Sequence, residues 1–320
     1  MATFSIGEAA KSGFRIIREH PKAILVWSLA YFVIVLLPQI GGLMLLWPDL
    51  MRATEEASRT AGPGGPSQAE IEAALGMQGT LVLLQIVQFL TTILWALLFY
   101  GAVFRAVLEP ENSRRWYMRF GAQEFWLGAV SAITSVMFMI AALAIIVPLA
   151  VLIGAFASTN GDAATPIGWI AVGSALLFGV LLGWVGIRLS LAYPMSFAER
   201  KFRLFESWAM TRGQAWRIFL TYLAAVGWAL LVLLAFFVVL CVLMLIGGLV
   251  LAVFSGLGVS LPTSAQATLP TIWVAVIALA VMVGGALVAV QTTIAYTLTA
   301  APSAAIYKRL REPPAPAQAA

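Results

Sequence analysis

The chain has 320 residues, of which 62% are hydrophobic and only 10% are charged. A soluble domain carries about 25% charged residues, so this composition excludes an ordinary soluble protein. The formal net charge is +5, from 19 Lys and Arg against 14 Asp and Glu. With one Cys and one His, we expect no intramolecular disulfide, no metal site and no cofactor.

The first predicted element is a basic amphipathic segment near the start of the chain. Ser5 and Glu8 have capping-box spacing, which predicts the beginning of a helix. The side of this helix that is predicted to be apolar consists of Ile6, Ala10, Gly13, Phe14 and Ile17. The basic side chains of the opposite face are Lys11, Arg15 and Arg18.

Six apolar stretches follow, each long enough to cross a membrane as a helix. They are residues 23–47, 79–104, 125–156, 167–193, 218–247 and 271–300. A bilayer core of about 30 Å needs about 20 helical residues, and lipid offers the backbone no other hydrogen bonds. We therefore predict an all-α polytopic bundle of six transmembrane helices, arranged as three hairpins in one domain over residues 1–311. The Pro- and Ala-rich tail, residues 312–320, is predicted to be disordered.

A basic or polar segment precedes each predicted hairpin. The second such segment is residues 111–123 and the third is residues 196–212, where Ser196 and Glu199 repeat the capping-box spacing and predict another helix start. Such segments suit the membrane interface, with apolar faces toward acyl chains and basic faces toward headgroups. Two interpretations remain open: a surface that senses lipids or docks partners, and structural connectors that steer the next span.

The basic residues lie on one side of the predicted spans. The alternate connections carry only Arg52 and Arg59, so the positive-inside rule places both termini in the cytoplasm. This charge can meet anionic headgroups, and its place beside membrane spans argues against nucleic acid as a partner. The residues that we predict to contact lipid headgroups or protein partners are Lys11, Arg15, Arg18, Arg188, Arg200, Lys201, Arg203, Arg212 and Arg217.

Three motifs resemble a broad bacterial family. They are Phe4-Ser-Ile-Gly-Glu-Ala, Ser207-Trp-Ala-Met-Thr-Arg-Gly with the following Trp216-Arg217, and Pro302-Ser-Ala-Ala-Ile-Tyr. The family comprises six-helix inner-membrane proteins, including the membrane domain of some glycerophosphoryl diester phosphodiesterases. The resemblance implies this architecture and a place in the bacterial cytoplasmic membrane. In fused members hydrolysis belongs to a separate soluble barrel, so the resemblance implies no catalytic residue here.

The centres of the predicted spans contain no Asp, Glu, Lys, Arg or His. Arg105 and Arg188 come nearest, close to the cytoplasmic ends, where we expect snorkelling or structural pairing. A lipid phosphate or a neighbouring helix is the alternative partner of Arg188. An intramembrane hydrolase needs a base or a metal ligand, so we predict that the protein is not an enzyme.

Uncharged polar residues within the spans keep a second function open. Gln85, Gln88, Ser135 and Gln291 are candidates to line a polar cavity, although such groups more often hydrogen-bond between helices. The leading hypothesis is a non-catalytic membrane protein that binds membrane lipids or other membrane proteins through its basic cytoplasmic residues. The alternative is a transporter or permease for an uncharged or lipidic solute.

Overall fold

The computed structural model describes residues 4–60, 68–157, 166–256 and 271–311. These residues form helices joined by short turns, and they contain no strand. The α-helices are α1 (Ile6–Ala10), α2 (Ser12–Glu19), α3 (Pro21–Tyr31), α4 (Leu37–Thr60), α5 (Gln68–Leu108), α6 (Ala122–Ala157), α7 (Pro166–Leu189), α8 (Ala192–Glu199), α9 (Glu206–Met210), α10 (Ala215–Gly256) and α11 (Thr271–Arg311). A π-helical turn covers Phe32–Leu36, and a 3-10 turn covers Arg114–Tyr117. The predicted disordered tail, residues 312–320, lies outside the described residues.

Six segments of the described chain are long and apolar enough to cross a membrane. They are Pro21–Pro48, Gln78–Leu108, Arg114–Val151, Val172–Glu199, Ala215–Leu249 and Ala278–Arg311. Each overlaps one predicted span, so the all-α, six-span architecture is confirmed.

The chain divides into two compact units. Unit 1 comprises Met1–Ile16, Tyr100–Val226 and Leu298–Ala320, and unit 2 comprises Ile17–Phe99 and Gly227–Thr297. The organisation of residues 1–311 as one domain stays a prediction.

In unit 1, the N-terminal segment packs on later parts of the chain. The predicted start of α1 is confirmed, because the Glu8 backbone N–H donates to Ser5 Oγ over 3.5 Å. Phe4 and Ala9 then join a buried apolar cluster with residues of α8, α10 and α11. The other buried members are Leu191, Met195, Ile218, Ile306 and Tyr307. This packing fixes α1 against the end of α11.

The predicted helix start at Ser196 is wrong. The chain is already helical from Ala192, and α8 ends at Glu199 because Arg200 takes a left-handed conformation with φ of 54°. Ser196 Oγ instead accepts a hydrogen bond from the Arg203 backbone N–H over 3.0 Å and so stabilises the turn after α8. The third basic segment is therefore the end of α8, a turn and the short helix α9.

In unit 2, a π-helical turn precedes Pro38. Proline has no N–H to donate to the carbonyl four residues earlier, and its ring clashes with that carbonyl. The Leu37 N–H donates to Phe32 O, five residues back, and this wider turn accommodates the proline. Here α11 approaches closely, since a Cβ added at Gly285 would lie 2.8 Å from Phe32 Cε2.

Aromatic rings form a second packed group in unit 2. Trp95 stacks on Phe99 with ring centroids 4.6 Å apart. Tyr31 and Tyr296 each make an edge-to-face contact with Trp95, with ring centroids 4.7 and 5.5 Å apart. Such pairs contribute about 0.5–1.5 kcal/mol each beyond the area they bury. The rings therefore connect α3, α5 and α11 within this unit.

We expect Gly285→Ala to destabilise the protein by about 1–3 kcal/mol, because the new methyl group overpacks against the buried Phe32 ring. Gly284→Ala is the matched control, since a Cβ there meets nothing within 4 Å. The measurement is thermal stability in detergent, followed as loss of the monodisperse size-exclusion peak. Equal stability of the two variants would contradict the close approach of α11 to the π-helical turn.

Candidate functional site

Unit 1 gathers most of the positive charge. Every Lys and Arg of the sequence belongs to unit 1 except Arg18, Lys22, Arg52 and Arg59. Large aromatic side chains are exposed beside these basic residues: Trp116, Phe120, Phe205, Trp208 and Trp216. Tryptophan is enriched where a membrane meets water, and basic side chains there can reach lipid headgroups. The surface of unit 1 therefore has the composition of a membrane interface.

A cleft of about 430 Å³ lies between the N-terminal segment and the end of α11. Its basic side chains are Lys11, Arg15, Lys308 and Arg309. Among the described residues that line it, Glu8 is the carboxylate, and its Oε2 lies 3.7 Å from Arg309 Nη2. The cleft therefore carries an excess of positive charge.

The structure brings some predicted contact residues together and separates others. Lys11 and Arg15 line the same cleft, as the amphipathic pattern placed them on one face. Sequence reasoning missed Lys308 and Arg309 as members of this site, although the run of basic residues that follows the sixth apolar stretch was a signal. Arg18 is exposed and belongs to unit 2.

Two of the predicted contact residues, Arg188 and Arg217, lie against aromatic rings instead of facing open solvent. The Arg188 guanidinium lies over the rings of Trp184 and Trp208, 5.0 and 5.4 Å from their centroids. The Arg188 carbonyl also accepts a hydrogen bond from Ser207 Oγ over 2.6 Å. Arg217 lies 6.0 Å from the centroid of the Phe4 ring. Cations stacked on rings stabilise packing, so both arginines contribute to unit 1, and their contact with a headgroup or partner stays a prediction.

The remaining predicted contact residues lie between α8 and α10. Arg200, Lys201 and Arg212 are exposed. Arg203 pairs with Glu206 and Glu199, at 2.5 and 3.0 Å. The hydrogen bond to Glu206, with the charges of both carboxylates, raises the pKa of the Arg203 guanidinium above its ordinary value. The charge of Arg203 is therefore compensated within the chain, whereas its neighbours Lys201 and Arg212 expose their charge to the surroundings.

The polar residues predicted to line one cavity are found in different settings. In unit 2, Gln85 and Gln88 line a groove of about 180 Å³ together with Gln39 and mostly apolar side chains. Gln291 is half-buried, and its side-chain oxygen accepts a hydrogen bond from Thr292. Ser135 is exposed on α6 in unit 1. A cavity shared by all four stays a prediction.

A buried ion pair joins the end of α5 to the start of α6 in unit 1. The Arg105 guanidinium bonds to the Glu124 carboxylate, and these residues are only 2% and 0% exposed. Arg105 also donates to Gln123 Oε1 and, over 2.6 Å, to the Tyr117 carbonyl. Phe197 of α8 lies against the guanidinium, 5.3 Å from ring centroid to Cζ. Of the expectations for Arg105, structural pairing is therefore confirmed over snorkelling.

Sequence reasoning missed Glu124, which lies one residue before the predicted third span. The available signal was Gly101, four residues before Arg105 and so on the same helical face. A Cβ at Gly101 would lie 2.8 Å from Glu124 Oε1 and 3.2 Å from its Cγ. Only glycine leaves room for this carboxylate against α5.

The connection between α5 and α6 has an unusual backbone conformation that places a carbonyl within hydrogen-bond distance of Arg105. Arg115, Trp116 and Tyr117 all take positive φ, of 52°, 51° and 67°. Left-handed backbone costs about 1–2 kcal/mol per residue outside glycine, so other contacts must hold it. Tyr117 supplies two of them: its carbonyl accepts from Arg105, and its hydroxyl donates to the Pro110 carbonyl.

Glu109 extends the network toward the surface. Its carboxylate accepts hydrogen bonds from Gln123 over 3.0 Å and from Asn112 over 3.2 Å. Burial alone would raise the pKa of Glu109, but these hydrogen bonds and the charges of Arg105 and Arg200 outweigh it. The pKa of Glu109 therefore lies below its ordinary value of 4.5.

The six long apolar helices define the class of protein: a multi-pass α-helical membrane protein. A scan against protein-family models, a search of curated proteins and a search of solved structures each find no match to this chain. The resemblance to the membrane domain of glycerophosphoryl diester phosphodiesterases therefore stays a prediction.

We expect Arg105→Met or Glu124→Leu alone to destabilise the protein by about 3–5 kcal/mol, because each leaves a buried charge without its partner. The double variant should be more stable than either single variant, since no unpaired charge remains. Denaturation in mixed detergent micelles measures the three stabilities, with Arg114→Met, an exposed basic residue of the same connection, as control. A double variant whose loss equals the sum of the single losses would show that the two side chains are not coupled.

We expect the stability supplied by Glu109 to depend on pH. Because its folded pKa is depressed, this contribution is fully present above the ordinary value of 4.5 and is lost as the pH falls through the folded pKa. Wild type should therefore be more stable than Glu109→Gln at pH 7, with the difference shrinking below pH 4.5. The measurement is thermal stability from pH 7 to pH 3, with Glu111→Gln, exposed in the same connection, as control. A difference that stays constant over this range would contradict the assigned shift.

Proposed function

We propose that this is a non-catalytic integral protein of the bacterial cytoplasmic membrane that binds membrane lipids, or other membrane proteins, through the basic surface of unit 1. The observation that carries the proposal is the joint placement of most basic residues and several exposed aromatic side chains in one compact unit. A Lys or Arg near an anionic bilayer surface contributes about 1 kcal/mol of attraction. Several such residues acting together favour anionic lipids over zwitterionic ones.

The proposed orientation places unit 1 at the cytoplasmic side, with both termini in the cytoplasm. Unit 1 contains both ends of the chain and the connections after the second and fourth spans. Positively charged connections stay in the cytoplasm during insertion, where they also meet the anionic leaflet. The charge distribution therefore supports this orientation.

The contacts of the buried Glu124 carboxylate support the proposal that the protein is not an enzyme. Glu124 is bonded to Arg105 and lies inside the packed end of unit 1. A general base needs access to the proton that it abstracts. Glu124 has the contacts of a structural group, and Glu109 is likewise engaged by Gln123 and Asn112.

The groove in unit 2 supports the alternative, a transporter or permease for an uncharged or lipidic solute. Gln39, Gln85 and Gln88 place amide groups among apolar side chains there. Such a lining suits an amphiphile without net charge, since a few placed polar groups among apolar side chains are typical of small-molecule sites. At about 180 Å³ the groove is smaller than most such sites, which is why lipid binding on unit 1 is preferred.

Native mass spectrometry of protein in nanodiscs of mixed phosphatidylglycerol and phosphatidylethanolamine tests the proposal. We expect the anionic lipid to be enriched around wild type relative to the bulk bilayer. Arg200→Gln with Lys201→Gln should reduce this enrichment several-fold, because both side chains are exposed in unit 1. Arg52→Gln with Arg59→Gln removes the same charge from the opposite predicted side and is the matched control.

Equal enrichment of the anionic lipid around the Arg200 and Lys201 variant and around the control variant would contradict the lipid part of the proposal. Another outcome is that a protein co-purifies with wild type and with the control variant and is lost from the variant of Arg200 and Lys201. That result would show that the basic surface binds a protein partner. Retention of a neutral molecule that disappears on Gln85→Leu with Gln88→Leu would favour the transporter alternative.

A further inference from the structure

The cleft of unit 1 differs from the rest of its basic surface because it is concave and its charges converge. One wall is α1 and the first turn of α2, with Lys11 and Arg15, and the other is the end of α11, with Lys308 and Arg309. At about 430 Å³ it falls within the roughly 300–1,000 Å³ typical of small-molecule sites. This is larger than an inorganic phosphate needs and suits a whole headgroup.

Both walls of the cleft are held in place by packing. Phe4 and Ala9 behind one wall contact the same buried cluster as Ile306 and Tyr307 behind the other. Lys308 Nζ also donates to the Val107 carbonyl over 3.3 Å, which ties α11 to the end of α5. Sites on packed helices hold their ligands more accurately than sites on loops. The cleft is therefore preorganised for a ligand.

The position of the cleft along the helices indicates what it can reach. Val107 lies at the end of the second span, Gln78–Leu108, and Lys308 lies near the end of the sixth, Ala278–Arg311. The ends of spans lie at the level of lipid headgroups, since the apolar part of each span occupies the hydrocarbon core. A lipid can therefore present its headgroup here while its acyl chains stay in the bilayer.

Resting on the proposed function, we propose that this cleft is a specific site for a lipid headgroup that carries at least two negative phosphate charges. Four basic side chains face one carboxylate, Glu8, which leaves three positive charges in formal excess. A singly charged headgroup compensates only one of them, whereas a bisphosphate headgroup compensates two. Arginine binds phosphate oxygens in pairs and lysine acts as a point charge, so the mixed set suits phosphate. The hydroxyl of Ser5 also lies on the lining.

The test compares diphosphatidylglycerol with phosphatidylglycerol, added to delipidated protein in neutral detergent and measured by native mass spectrometry. We expect one tightly held diphosphatidylglycerol per chain. Lys11→Gln with Arg15→Gln should weaken it about tenfold or more, because hydrogen bonds to charged groups are the strong ones. Both side chains are exposed, so the substitutions leave the packed cluster intact. Lys11→Arg with Arg15→Lys keeps the charge and should retain the lipid.

Arg200→Gln with Lys201→Gln is the matched control, since it removes two exposed charges of unit 1 that do not line the cleft. A change of less than about twofold in this control, with the loss confined to the cleft variant, supports the site. Equal losses in both variants would overturn the site and leave general anionic lipid binding standing. With phosphatidylethanolamine as the reference lipid, a wild type that prefers neither anionic lipid would overturn this site together with the lipid part of the proposed function.

A second arm separates the two sources of phosphate. Inorganic pyrophosphate is titrated against the bound diphosphatidylglycerol in the same detergent. Retention of the lipid at millimolar pyrophosphate supports a lipid headgroup as the ligand. Displacement at micromolar pyrophosphate would overturn that assignment and identify a soluble phosphate site instead.

Discussion

The buried pair of Arg105 and Glu124 is the contact on which the packed end of unit 1 depends. Removing two charges from water costs several kcal/mol per ion, and only well-formed hydrogen bonds offset that cost. Here the guanidinium also bonds to Gln123 and to the Tyr117 carbonyl, and it lies against Phe197. The pair therefore links α5, α6 and α8, and it explains why the connecting turn tolerates three successive residues with positive φ.

The two units use their side chains for different purposes. In unit 2 aromatic side chains pack against one another, and Trp95 contacts three aromatic neighbours from α3, α5 and α11. Unit 1 combines apolar packing with charge, so that Arg188 and Arg217 rest on aromatic faces while Lys11 and Arg15 face an open cleft. The same residue types thus stabilise the fold at some positions and remain available for ligands at others. Composition alone does not distinguish these roles.

Hydropathy was sufficient to place six spans because the bilayer imposes a minimum length on every helix that crosses it. The ion pair could not be predicted in this way, since Arg105 and Glu124 each lie one residue outside a predicted span, where a charge is ordinary. Local spacing also gave a wrong helix start at Ser196. The capping rule considers only four residues, whereas tertiary packing extends the helix back to Ala192. The pattern of the N-terminal segment indicated Lys11 and Arg15, but Lys308 and Arg309, which line the same cleft, come from the other end of the chain.

The contact of Phe4 and Ala9 with Ile306 and Tyr307 has a consequence for biogenesis. A ribosome delivers the N-terminal helix to the translocon long before α11 is synthesised. Phe4 and Ala9 can therefore reach these partners only after the sixth span has been synthesised. Only then can the two walls of the cleft meet, so the cleft does not exist before α11 has been made.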